Sequence, residues 1–155
     1  MMKKYVYSLA LVLVGILCVT GCGSSSKVTC TYESDQSASG YKLKSEYNIY
    51  SDGDVVTKVE TTETVESKNN TVLSYFEKQL KEQYKTNNEK YKGYDYKVTN
   101  KDGKVVSEVT IDYSKMDLNK FVEDNAAMKS FVNKDNKLTV KGVKSMYESI
   151  GAKCK

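Results

Sequence analysis

"YKLKSEYNIYSDGDVVTKVETTETVE", residues 41–66, decides the fold class. Over residues 41–50, Tyr41, Leu43, Ser45, Tyr47 and Ile49 fall on one side, and Lys42, Lys44, Glu46 and Asn48 on the other. A period of two is that of a strand with one face covered and the other wet. Ser51-Asp52-Gly53-Asp54 follows. Its Asp-Gly pair favours a tight hairpin, because such turns need positive φ. Residues 55–66 return rich in Val and Thr, which suit a pleated surface. Val55, Val59 and Val65 are expected on one face of this strand and Val56 on the other. Asp52 and Asp54 are too few for a calcium loop, so the stretch is a turn.

The same reading extends outward. Residues 27–34 form a preceding short strand that carries Cys30 and Tyr32. Beyond the hairpin, Asn69-Asn70-Thr71 offers a helix N-cap, and Val72, Leu73, Phe76, Leu80 and Tyr84 recur at helical spacing. This helix is expected to end near Tyr91, with Gly93 just past it. Tyr94, Tyr96 and Val98 alternate into a strand that turns at Asn100-Lys101-Asp102-Gly103. The return strand places Val105, Val109, Ile111 and Tyr113 on one face. Asp117 can cap a short helix with Leu118, Phe121 and Val122, and Thr139 a last one with Val140, Val143, Met146, Tyr147 and Ile150. Gly151 stops that helix, and residues 152–154 form a short closing strand. The order is β-β-β-α-β-β-α-α-β. It predicts an α+β fold: a largely antiparallel sheet of five to six strands, with one long helix and two shorter C-terminal helices packed on one face. A single domain over residues 28–155 is expected.

The N-terminus has a different character. Lys3 and Lys4 precede an apolar run over residues 6–19, shorter than the about 20 residues that span a bilayer. This is the pattern of a secretory signal peptide over residues 1–21, the alternative being an uncleaved anchor. Val19-Thr20-Gly21-Cys22 resembles a bacterial lipobox. The resemblance implies a diacylglyceryl group on the Cys22 sulfur, cleavage after Gly21, and a mature chain that starts at the lipidated cysteine. A thiol is the nucleophile such chemistry needs. Two acyl chains give stable membrane attachment where one does not. Residues 22–27, Cys22-Gly23-Ser24-Ser25-Ser26-Lys27, are expected to be the lipidated cysteine and a flexible tether. Ser24 and Lys27 also match S-x-x-K, but a tether lacks the helix and cleft that motif requires. The expected location is the outer face of a bacterial cell membrane.

Of the four cysteines, Cys18 leaves with the leader and Cys22 takes lipid. Cys30 and Cys154 remain, and an exported pair invites a disulfide. It would close a loop for which chain entropy gives roughly 5 kcal/mol. Its Cα atoms would lie about 5.5–6 Å apart, which puts the first strand beside the last segment. Two free thiols are the alternative. Two thiolates without histidine fall short of a structural metal set, and nothing points to a metal or cofactor.

Composition excludes several functions. Without Lys3 and Lys4, the 24 basic residues exceed the 20 acidic ones by only about two, and none is Arg, which is no nucleic-acid signature. The chain has 0 His, so histidine-based catalysis is excluded, and 0 Trp, which weakens a sugar-stacking platform. Tyrosine is abundant, at 13 residues, and suits contact surfaces. Tyr47, Tyr50, Tyr94, Tyr96 and Tyr113 all fall on expected strands and are candidates for such a surface. Glu108 and Asp112 share a strand face and are the candidate carboxylate pair of an enzyme.

Two stretches, "VTIDYSKMDLNKF" over Val109 to Phe121 and "LTVKGVKSMYESIGAKCK" over Leu138 to Lys155, look like the YehR-like bacterial lipoproteins, the DUF1307 family. The resemblance implies a small α+β lipoprotein with a strand-helix-strand core and a closing helix followed by Gly and a short strand. It carries over no catalytic residue. The expected function is therefore a non-enzymatic binding or interaction domain at the cell envelope, with a cell-wall or membrane-protein partner. An accessory subunit of a membrane complex is the alternative, and a carboxylate-dependent envelope enzyme is a third.

Overall fold

The computed structural model describes residues 25–155, so the expected signal peptide, residues 1–21, and Cys22 lie outside the described residues. Six strands, β1 (Ser25–Gln36), β2 (Tyr41–Asp52), β3 (Val55–Glu66), β4 (Tyr94–Lys101), β5 (Lys104–Asp112) and β6 (Lys153–Cys154), form one antiparallel sheet in the order β4-β5-β3-β2-β1-β6. Three α-helices accompany it: α1 (Asn70–Lys90), α2 (Leu118–Asp124) and α3 (Val140–Ser149). Short 3-10 helices lie at Ser37–Ser39 and Ala126–Phe131. The α+β class and the antiparallel sheet are as the sequence predicts.

Local chemistry sets these elements. In the β4–β5 turn Asp102 and Gly103 have φ of 54° and 75°, the paired positive values a two-residue hairpin needs. Each helix begins where a side-chain cap supplies an acceptor. Asn69 accepts from the Thr71 N–H at 2.9 Å, Asp117 from Lys120 at 3.1 Å, and Thr139 from Gly142 at 3.0 Å. After α1 the chain turns through Gly93, whose φ is +82° and whose carbonyl accepts the Asp112 N–H at 2.7 Å. A Cβ at Gly93 would collide with the Asp112 carbonyl oxygen, so only glycine fits there.

Helices α1 and α3 pack on one face of the sheet. Leu73 of α1 packs against Val65 and Val105. Tyr84 of α1 and Val143 of α3 belong to the main cluster with Ile49, Val59 and Leu138. Burying an aliphatic side chain of this kind stabilises by about 1.5–3 kcal/mol. The short helix α2 departs from the expectation. Phe121 packs on Tyr91 and Tyr113, and Asp124 pairs with Lys90. These contacts place α2 at the end of the sheet, where α1 and β5 finish.

Two strands differ from their sequence readings. β1 begins at Ser25, so Ser25, Ser26 and Lys27 are paired strand residues opposite Asp52, Ser51 and Tyr50, and the expected tether is shorter. Ser26 Oγ lies 2.8 Å from Ser51 Oγ. In β3, Val56 is buried with Val59 and Val65, while Val55 is only half-buried. The register shifts between Tyr50↔Lys58 and Ser51↔Val56, which leaves Thr57 as an extra residue. One inserted residue reverses the alternation. The Thr57 carbonyl accepts the Tyr113 N–H at 2.9 Å, so the bulge also ties β3 to the end of β5.

Candidate functional site

Cys30 on β1 and Cys154 on β6 are directly opposite in register and joined as a disulfide across 124 residues. The first strand lies beside the last segment, as the pair predicts. Their Cα atoms are 3.9 Å apart, closer than the roughly 5.5–6 Å usual for disulfides. The register explains it. Thr29 and Lys155 exchange both backbone hydrogen bonds, at 3.1 and 2.9 Å, so the cysteines occupy the adjoining non-hydrogen-bonded pair, where strands approach most closely. The bond fastens a two-residue strand, which its few backbone hydrogen bonds alone would hold weakly.

The tyrosines read as a contact surface are mostly core. Tyr47, Tyr94 and Tyr113 are 6–7% exposed, and Tyr96 is half-buried with its ring 5.9 Å from that of Tyr84. Tyr47 stacks on Tyr147 of α3 at 4.0 Å. The space between sheet and helices needs large side chains, and tyrosine fills it in this chain. Burial pushes the Tyr47, Tyr94 and Tyr113 phenols above their ordinary range. Of the five, only Tyr50 points to the uncovered face. Its hydroxyl donates to Glu60 at 2.7 Å, and the Lys58 ammonium sits 4.2 Å from its ring centre.

Sequence reasoning missed a polar seam beneath the helices. Ser45, Glu63 and Ser107 form one cross-strand row on the covered face of β2, β3 and β5. The Tyr84 hydroxyl donates to Glu63 at 2.8 Å and lies 3.5 Å from Ser107 Oγ. Ser45 Oγ is buried without a well-formed hydrogen bond. Burial first, and then the Glu63 carboxylate, raise the Tyr84 phenol. Burial, and then the Tyr47 phenol, do the same at Tyr147. The seam offers hydrogen-bond donors around one carboxylate. Burial favours the protonated form of its phenols. The signal was present in the sequence, because Val59, Glu63 and Val65 share a strand face.

Among the described residues no helix packs on the other face of the sheet. Its side chains are threonines and charges in cross-strand pairs: Glu33–Lys44 at 3.0 Å, Asp35–Lys42 at 3.0 Å and Glu66–Lys104 at 2.6 Å. Hydrogen bonds from Ser37, then Lys42, hold Asp35 down at about 2. The candidate acid–base pair sits here too. Glu108 is exposed and 3.8 Å from Lys97. Lys115, then Ser114, hold Asp112 below the usual carboxylate range. A carboxylate acid needs the opposite shift. At the end of the sheet where β4 turns into β5, an open cleft of about 540 Å³ is lined by Gly40, Tyr41, Ser67, Lys68 and Asp102 among others. Among the described residues no group of three or more His, Cys, Asp or Glu could hold a metal, and no helix is long and apolar enough to cross a membrane.

No protein-family model matches the chain, and no curated protein matches it. Two solved structures resemble it. The NMR structure of a Streptococcus pneumoniae protein aligns over 100% of this chain and 98% of its own, at 13% identity and a TM-score of 0.48. The NMR structure of the YehR protein of E. coli aligns over 84% of this chain and 92% of its own, at 16% identity and a TM-score of 0.54. At that identity the likeness is one of architecture: the chain has a YehR-like fold.

Proposed function

We propose that this chain is an exported lipoprotein of the YehR-like kind, held to the outer face of the membrane through lipid on Cys22. Its domain acts as a non-enzymatic binding module at the cell envelope. The observation that carries the reading is the Cys30–Cys154 disulfide, because such bonds persist in oxidising, extracytoplasmic compartments. It agrees with the leader and the lipobox, which come from a separate part of the sequence. The uncovered sheet face is the contact surface. Lys44, Glu46, Thr62, Thr64, Glu108 and Lys97 present hydrogen-bonding and charged groups there, suited to a polar envelope partner.

A sedimentation assay tests the reading. Oxidised protein without its lipid is mixed with purified cell wall, beside a Glu46→Lys/Thr62→Lys variant. Co-sedimentation that the double variant loses supports wall binding through this face. Native protein left in the supernatant overturns wall binding. Crosslinking in intact cells then decides for a membrane-protein partner, the accessory-subunit reading.

A further inference from the structure

We infer that the cleft between α2 and residues 129–136 is a binding site for an uncharged sugar unit, read by the amides of Asn119, Asn133 and Asn136. The cleft is open and holds about 730 Å³, within the size range of small-molecule sites. None of its lining residues belongs to the sheet, so the site is separate from the contact surface proposed above and does not depend on it. Each amide is fixed through one half and has the other to spare. Asn133 Oδ1 accepts the Asp135 N–H at 2.9 Å and the Lys137 N–H at 3.0 Å, which leaves its NH2 group. Asn136 Nδ2 donates to Asn119 Oδ1 at 2.8 Å, which leaves the Asn119 NH2 and the Asn136 carbonyl. Among the described residues these three spare groups have no hydrogen-bond partner.

The two walls are held in place before any ligand arrives. A bridge from Val132 to Leu138 closes the loop, and the Asn133 N–H donates to the Lys137 carbonyl at 2.8 Å. On the other wall Asp117 caps α2, and Val122 is buried. Groups fixed in advance lose less freedom on binding. Two amide donors and one amide acceptor suit a ligand whose own groups both donate and accept. Neighbouring hydroxyls of a sugar ring do this, and the ring's C–H face can rest on Val122 and Val132. The lining holds no aromatic ring, so the amides, and not stacking, carry the recognition. An extended peptide docks along a free strand edge, and none lines the cleft. Exposed Glu123, Lys129 and Lys134 bring charges of both signs, so the lining offers no uniform field for an anion.

The test is an NMR titration of the full, oxidised chain, labelled with nitrogen-15 and held in a detergent that has no sugar headgroup. The probes are maltotriose, the trisaccharide of N-acetylglucosamine and, separately, inorganic phosphate. The side-chain NH2 resonances of Asn119 and Asn133 should shift and saturate with at least one of the two sugars. Asn119→Asp and Asn133→Asp keep the oxygen that accepts the internal hydrogen bonds and lose only the NH2. Each should weaken sugar binding several-fold, up to about tenfold, as expected for one lost hydrogen bond. The Glu46→Lys/Thr62→Lys variant of the sheet face should bind the sugar as the native chain does, which separates this site from the contact surface proposed above. Shifts that survive both asparagine substitutions, or that fall on the sheet face, overturn the site. So do shifts caused by phosphate alone, and so does the absence of shifts with either sugar.

Discussion

On β3, Val59 and Val65 point beneath the helices, while Glu60, Thr62 and Glu66 point into solvent. The covered face holds the fold by burial and by a few irreplaceable polar contacts, such as Tyr84 to Glu63. The uncovered face is tied by ion pairs at the surface, as in Glu33–Lys44, whose side chains are 69% and 63% exposed, and Glu66–Lys104. Exposed pairs of this kind are worth about 0–1 kcal/mol each. One face of the sheet is therefore constrained by stability, and the other, the proposed contact surface, is much less so.

The sharpest way to break that contrast is at the edge of the covered face. Cys30→Ser or Cys154→Ser should lower stability by up to roughly 5 kcal/mol, read as the urea midpoint with and without reductant. An unchanged midpoint would show that β6 is held without the bond. Next in size, Ile49→Ala should cost about 2–5 kcal/mol, whereas Thr62→Ala on the opposite face of the neighbouring strand should stay within about 0.5 kcal/mol. Equal losses would end the distinction between the faces. Tyr84→Phe should cost about 1–3 kcal/mol, because Glu63 loses a donor in the seam.

The same tyrosines predict a pH dependence. Tyr47, Tyr84, Tyr94, Tyr113 and Tyr147 have phenols raised by burial in the folded chain. A raised phenol keeps its full contribution below the ordinary tyrosine value of about 10 and loses it as pH climbs through the folded value. Ionisation of these five phenols, followed as the part of the phenolate absorbance that tracks unfolding, should therefore appear above pH ~10 together with loss of structure, and not before it. Smallest of all, a double-mutant cycle on Glu33 and Lys44 should give a coupling below about 1 kcal/mol that salt erodes.

What the sequence disclosed follows from how local each signal is. The residue 41–66 hairpin, the caps at Asn69, Asp117 and Thr139, and the turn at Asp102-Gly103 depend on a few neighbouring residues, and each stands where its local chemistry requires. The Cys30–Cys154 neighbourhood was legible because a covalent constraint substitutes for the missing long-range information. The bulge at Thr57 was not, since its extra residue is defined only against β2. The tyrosines were misjudged by residue type. Tyr47 shares its strand face with Ile49, so the alternation already favoured the core, and only Tyr50 has the opposite parity. Glu63 escaped notice because a lone carboxylate among valines acquires a role only when Tyr84 of α1 folds over it.

The intact mass of the protein extracted from its own bacterial membranes, taken before and after alkylation of free thiols, bears most directly on an exported, lipid-held domain closed by a disulfide. The expected species begins at Cys22, is heavier by a diacylglyceryl group, and takes up no alkylating reagent until it is reduced. A chain that retains residues 1–21, or one that alkylates at Cys30 and Cys154 without reduction, would overturn the reading.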